Sequence, residues 1–159
     1  MSMKYELAQV NIARFRVPAD DPVNADFVDN LDRVNAIAET QTGFVWRLIG
    51  SGNDALDLQA FDDPLIITNL SVWTDVRSLV DFVYRNPAHN DIMRRRKEWF
   101  DRLDLHMVLW WVETGRRPTL DEAKLRLELL RQQGPTYAAF TFKRPFAAPS
   151  GDVIDPFSD

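Results

Sequence analysis

The chain has 159 residues, 45% of them apolar, a formal net charge of −5 and no cysteine. That length holds one core without staples, and no apolar run approaches the roughly 18 residues of a membrane span. The stretch MSMKYELAQV lacks the apolar centre of a secretory signal, so the expected location is cytoplasmic. The charge balance speaks against a dedicated nucleic-acid binder, and the missing cysteines exclude disulfides and thiolate metal sites.

Residues Tyr5–Phe15 alternate as a strand, with Leu7, Gln9, Asn11, Ala13 and Phe15 on one side and Ala8, Val10 and Ile12 on the other. Asn11 is its polar exception and needs a partner or a ligand. A Pro/Asp linker over 17–23 leads through Asp21-Pro22 into a helix whose stripe is Phe27, Leu31, Val34 and Ala38, stopped by Gly43. FVWRLI (44–49) is a second strand, Phe44, Trp46 and Leu48 sharing one face and Val45, Arg47 and Ile49 the other. Gly50-Ser51-Gly52-Asn53-Asp54 reads as a flexible loop and Asp62-Asp63-Pro64 as a turn. The mixed stretch 55–61 between them supports no assignment.

LIITNLSVW (65–73) is a third strand, with Ile67, Asn69, Ser71 and Trp73 on one side. Thr74 or Asp75 caps a helix carrying Val76, Leu79, Val80 and Val83, which Asn86-Pro87 breaks. A helix over 88–103 then places Ile92, Arg96, Trp99 or Phe100, and Leu103 along one side. Of the cluster Arg94-Arg95-Arg96-Lys97, that spacing turns Arg96 inward and leaves the others as a solvated face. HMVLWWVE (106–113) is apolar on both faces, the pattern of a strand buried on both sides. Thr119 with Glu122 forms a capping box before a helix bearing Leu120, Ala123, Leu127 and Leu130, ended by Gly134-Pro135. A short strand over 137–142 follows, and Pro145, Pro149 and Pro156 describe an extended tail. The expected division is one domain over 1–145 and a tail over 146–159.

Strand, helix, strand, strand, helix, strand is the ferredoxin-like split β-α-β order of an α+β protein with an antiparallel sheet, here with an extra helix and strand at the end. Two helices cover one face of such a sheet. The other face, carrying Trp46 or Arg47, Trp73, and Trp110 or Trp111, is too apolar to leave wet, and a homodimer through that face is the expected cover.

The first strand with Asn11, the segment VWTDVRSLVDFVYRNPAH, and the stretches MRRRKEWF, LWWVETGRRPTLDEA and GPTYAAFTF resemble a bacterial branch of the dimeric α/β-barrel superfamily. The resemblance spans residues 7–146. That superfamily includes antibiotic-biosynthesis-type monooxygenases and haem-degrading relatives, so fold is better specified by it than chemistry. It implies a homodimeric barrel enzyme acting on a small hydrophobic, aromatic metabolite by cofactor-independent oxygenation, or by a related rearrangement or cyclisation. Asn11 and Arg96 would then bind and polarise the substrate, and His89 or Tyr84 would move protons. Trp46, Trp73, Asn69, Trp99, His106 and Trp110 would wall the cavity. It equally implies a haem protein ligated by His89 with Asn11 in the distal pocket, although Leu79 stands where those relatives carry a tryptophan.

Plainer readings stand beside these. The tryptophans serve core and interface packing, Arg96 pairs with Asp101 or Asp104, His89 bonds around the Pro87 break, and His106 has a strand-end role. The chain would then be a non-catalytic ligand-binding or structural dimer. His89 and His106 lack the spacing and carboxylates of a metal site, and no phosphate loop or nucleophile elbow is present.

Overall fold

The structure is a computed structural model that describes residues 4–50, 56 and 58–149. Its order is β1 (Tyr5–Phe15), α1 (Ala25–Glu39), β2 (Phe44–Arg47), β3 (Ile66–Trp73), α2 (Val76–Arg85), α3 (Pro87–Arg94), β4 (Phe100–Asp101), β5 (Met107–Glu113) and α4 (Leu120–Gln133). All pairings are antiparallel: β2 beside β3, β3 beside β1, and β5 with the short β4 sharing the far edge of β1. With β5 as the fourth long strand this is the ferredoxin-like order 2-3-1-4, so the α+β expectation holds.

Register divides the side chains into two sets. Leu7, Gln9 and Asn11 of β1 lie opposite Trp73, Ser71 and Asn69 of β3, and opposite Trp111, Leu109 and Met107 of β5. This face packs Leu7, Trp73 and Leu109 against Ala38 of α1 and Val76, Leu79, Val80 and Phe82 of α2. The reverse face carries Ala8, Val10, Leu70, Val72, Val108 and Trp110. There the structure shows what the sequence pattern could not locate: Ala123, Leu127 and Leu130 of α4 pack on it. Of the tryptophans that suggested a second subunit, Trp46 and Trp110 are therefore covered from within the chain, Trp110 fully, whereas Trp73 lies on the opposite face, under α1 and α2.

Three local departures follow from backbone irregularity. A β-bulge between Phe44 and Trp46 inserts one extra residue into β2, so alternation breaks. Phe44 joins the α1/α2 face beside Trp73, Trp46 and Leu48 join the α4 face, and Arg47 returns to the α1/α2 face opposite Ser71. The helix expected over 88–103 ends at Arg94, followed by a 3-10 turn over Arg96–Glu98 and then β4. The strand expected over 137–142 is instead two tight turns, closed by the bridges Thr136 to Ala139 and Thr141 to Arg144. Between them, Phe140 makes a single bridge to Leu109 on the outer edge of β5. Leu109 and Phe140 exchange both backbone hydrogen bonds, at 2.9 and 2.8 Å.

The caps match their residue types. Asp75 accepts from Ser78 N at the start of α2, Asn86 from Ala88 N and His89 N at α3, and Thr119 from Glu122 N at α4. Gly43 turns the chain out of α1 at φ +91°, and a Cβ there would lie 2.2 Å from Ser78 Oγ, so only glycine fits. Trp111 Nε1 donates to Phe146 O at 2.8 Å, which ties the first part of the tail to the body. Of the expected loop over 50–54, residues 51–54 lie outside the described residues, as does the tail from 150.

Because α4 supplies the helical cover of its face, Leu127, 1% exposed, is a sensitive probe. Leu127→Ala is expected to lower unfolding free energy by about 2–5 kcal/mol, measured by urea denaturation with an unchanged m-value.

Candidate functional site on the helix-covered sheet face

A polar stripe crosses the middle of a face that is otherwise apolar. Arg47, Ser71 and Gln9 sit side by side on β2, β3 and β1, each at least 93% buried. In the next row Asn11 lies opposite Asn69, the first half-buried and the second exposed. Asn35, also buried, comes from α1, the helix whose Ala38 packs on this face. An unpaired buried polar group costs about 1–3 kcal/mol, so the hydrogen bonds here decide whether the sheet closes.

Those bonds centre on Gln9. One atom of its amide lies 2.6 Å from Ser71 Oγ and 2.8 Å from Asn69 Oδ1. Ser71 Oγ also accepts from Trp73 Nε1 at 2.9 Å. Arg47 Nε donates to Glu39 Oε1 at 2.9 Å and so joins β2 to the end of α1. Trp73 stacks on Phe82 with ring centres 5.6 Å apart, and Phe82 lies 5.0 Å from the ring of His89. A continuous line of contacts thus runs from His89 on α3 to Asn69 on β3.

His89 has a defined hydrogen-bonding state. Its Nδ1 lies 3.0 Å from Val83 O, a carbonyl that can only accept, so Nδ1 carries the proton and Nε2 the lone pair in the neutral ring. Burial holds its pKa below the ordinary 6.5, against the opposing pull of the Val83 carbonyl.

The other expected site residues are dispersed. Tyr84 is half-exposed and turns toward the C-terminal segment, its ring 5.7 Å from Phe142. Arg96 is exposed and donates to Met93 O at 3.3 Å. The inward member of the basic cluster is Arg95, which pairs with Asp26 and Glu98 at 2.8 Å and lies 4.9 Å over the ring of Trp99. The 3-10 turn causes this exchange, because three residues per turn shift the inward side by one position relative to a continuing α-helix. Asp101, one partner considered for Arg96, instead binds Arg14 at 2.7 Å. Trp99 is buried in an aromatic cluster with Phe15, Phe27 and Phe100. Trp46 and Trp110 lie on the α4 face, under the guanidiniums of Arg117 and Arg126 at 5.8 and 5.9 Å, and so cannot line the same space as Asn11. His106 is exposed just before β5, and partial desolvation together with the charge of Arg96 lowers its pKa.

The structure therefore brings together Asn11, Asn69 and Trp73 from the expected set and adds Gln9, Ser71 and Arg47. Gln9 and Ser71 were readable, since alternation puts them on the same side as Asn11 and Asn69. Arg47 was hidden by the bulge. Among the described residues, no group of three or more histidines and carboxylates is placed to hold a metal ion, and no helix is long and apolar enough to cross a membrane.

The fold and its polar-lined face define an α+β, ferredoxin-like domain. The family described as "Domain of unknown function (DUF3291)" matches residues 6–155, and the chain belongs to it. No curated protein matches. Among solved structures, SnoaB, a cofactor-independent oxygenase from Streptomyces nogalater, is 18% identical, with 73% of this chain and 97% of that chain covered at a TM-score of 0.42. NE2512, a protein of unknown function from Nitrosomonas europaea, is 12% identical, with 74% and 97% covered at a TM-score of 0.45.

The depressed pKa of His89 has a stability consequence of definite sign. Above 6.5 the ring is neutral in folded and unfolded chains alike; below it, the unfolded chain binds the proton first, so folding stability falls as the pH drops. Thermal melts from pH 7.5 to 5 are expected to show a declining Tm below about 6.5. His89→Asn, which keeps a donor near the Nδ1 position, is expected to flatten that decline.

Proposed function

We propose that this protein is an enzyme that binds a small, largely hydrophobic aromatic molecule against the stripe formed by Asn11, Asn69, Gln9 and Ser71. The proposed reaction is cofactor-independent oxygenation, or a related rearrangement or cyclisation. The observation that carries the binding part is the stripe itself. Four sheet positions facing α1 and α2 hold polar side chains among Leu7, Trp73 and Leu109, where matched apolar residues would cost nothing in stability. A mostly apolar recess with a few convergent polar groups is the usual make-up of a small-molecule site. The reaction class rests on the resemblance of the chain's segments to the antibiotic-biosynthesis-type monooxygenases.

In this chemistry the substrate is its own reductant. Loss of a proton from a phenol or enolisable ketone gives an anion that passes electrons to dioxygen. One oxygen atom is kept in the product and the other leaves as water. The protein needs only to favour the anion, by hydrogen-bond donors aimed at its oxygen, and to keep the site dry. Gln9 and Asn69 supply amides for the first task, and Trp73 supplies apolar wall for the second. His89, neutral with a free Nε2 lone pair, is the proton acceptor assigned here; Tyr84, turned toward Phe142, is not.

Oxygen uptake with polycyclic phenols and enolisable ketones is the direct test. Turnover is expected, and Gln9→Leu is expected to slow it by about tenfold to a thousandfold, the usual effect of deleting one oxyanion donor. No uptake above the buffer rate with any of them would overturn the oxygenase reading.

The state of His89 also favours a second reading, axial ligation of haem. A neutral imidazole whose Nδ1–H is held by a backbone carbonyl is the arrangement that orients Nε2 toward a metal. His89 would hold the group, which would supply iron-centred redox chemistry. Haem titration is expected to give a stoichiometric Soret band that His89→Ala loses; a spectrum showing only free haem ends this reading.

A further inference from the structure

Gln9 is 4% exposed, and all its side-chain hydrogen bonds run from one atom of its amide. If that atom is nitrogen, Ser71 Oγ receives two donors, from Gln9 and Trp73, and its own proton has no acceptor among the described hydrogen bonds. A hydroxyl has two acceptor sites and one proton to place, and leaving that proton unplaced in a buried row carries a penalty. The contact length is informative too. At 2.6 Å it is shorter than the 2.7–3.2 Å of an N–H···O bond and ordinary for O–H···O.

A half-turn exchanges the oxygen and nitrogen of an amide without moving its outline. Turning both Gln9 and Asn69 resolves the row. Trp73 Nε1–H donates to Ser71 Oγ, Ser71 Oγ–H donates to Gln9 Oε1, and Asn69 Nδ2–H donates to the same oxygen. Every proton in the row then has an acceptor, with the atoms at 2.9, 2.6 and 2.8 Å, and what is given up is the longest contact of the set, the 3.4 Å approach of the same Gln9 atom to the backbone oxygen of Asn69.

We infer that Gln9 presents its amide NH₂, not its carbonyl, to the space between sheet and helices, and that this group recognises an acceptor oxygen, a carbonyl or phenolate, on the bound molecule. This deepens the proposed function and rests on its placing of the ligand. Two donors converging on Gln9 Oε1 polarise the amide and strengthen its N–H groups as donors. Trp73 and Ser71 thereby act as positioning residues. The stripe discriminates against molecules of the same shape that lack the oxygen, because Gln9 N–H would then be buried unpaired.

Side-chain amide NMR separates the possibilities. The probes are 2-naphthol, near and above its own pKa, and naphthalene, with the Gln9 signal assigned by its loss in Gln9→Glu. In the free protein the Gln9 NH₂ protons are expected to exchange readily with water; protons shielded by Ser71 and Asn69 would overturn the orientation. Addition of 2-naphthol is expected to shift them downfield, with naphthalene leaving them in place. No shift with 2-naphthol overturns the recognition. Asn69→Asp, which can only accept, draws the Gln9 NH₂ back toward the sheet, and is expected to weaken 2-naphthol at least about tenfold while leaving naphthalene affinity and the melting temperature nearly unchanged. Equal weakening of both probes would overturn the role given to the row. If the shifts appear and oxygen uptake does not, the recognition stands and the oxygenase reading alone fails.

Discussion

Polar groups in the middle of a covered sheet face must be paired, and this requirement organises the site half of the molecule. Gln9, Ser71 and Arg47 occupy neighbouring strands where α1 and α2 exclude most solvent. Each is answered locally: Arg47 by Glu39, Ser71 by Trp73, Gln9 by Ser71 and Asn69. The pairings run along the sheet as well as between sheet and helix. They therefore hold the strand register in place at the same time as they satisfy the buried groups. Loss of one member leaves its neighbour exposed to the full desolvation penalty, which makes the row cooperative.

The opposite face obeys the simpler rule of area. Val10, Leu70, Val72, Val108 and Trp110 meet Ala123, Leu127 and Leu130 across an apolar interface. Since α4 supplies this cover, the sheet has helices on both sides. Stability and chemistry are thereby divided between faces. The α4 side carries apolar burial, and the α1/α2 side carries polar residues that an apolar core does not need.

The ferredoxin-like order was legible in the sequence because hydrophobic period switches cleanly between two and about 3.6, and because Asp75, Asn86, Thr119 and Gly43 mark element ends by mechanisms that act within a few residues. The sidedness of β1 and β3 was legible for the same reason, and with it Asn11, Asn69 and Trp73. The destination of α4 was not, since an apolar stripe states that a helix is covered and not by what. Arg95 and Arg96 exchanged roles because a 3-10 turn leaves no trace in residue type. Trp46 and Trp110 were placed in the cavity wall by the family resemblance, and a large apolar side chain is equally at home in a core.

The bulge in β2 carries a consequence for how this chain tolerates change in length. One supernumerary residue between Phe44 and Trp46 puts Arg47 beside Ser71 and keeps Trp46 under α4. Removing Val45 would restore strict alternation and still leave Trp46 opposite Val72 and Arg47 opposite Ser71, so both side chains would keep their faces. Closing the bulge with every residue retained would do the opposite: a guanidinium would enter the apolar layer under α4, while an indole replaced the partner of Glu39. A chain one residue shorter at this point could therefore keep both the arginine and the tryptophan, whereas one of equal length depends on the bulge to hold them on opposite faces.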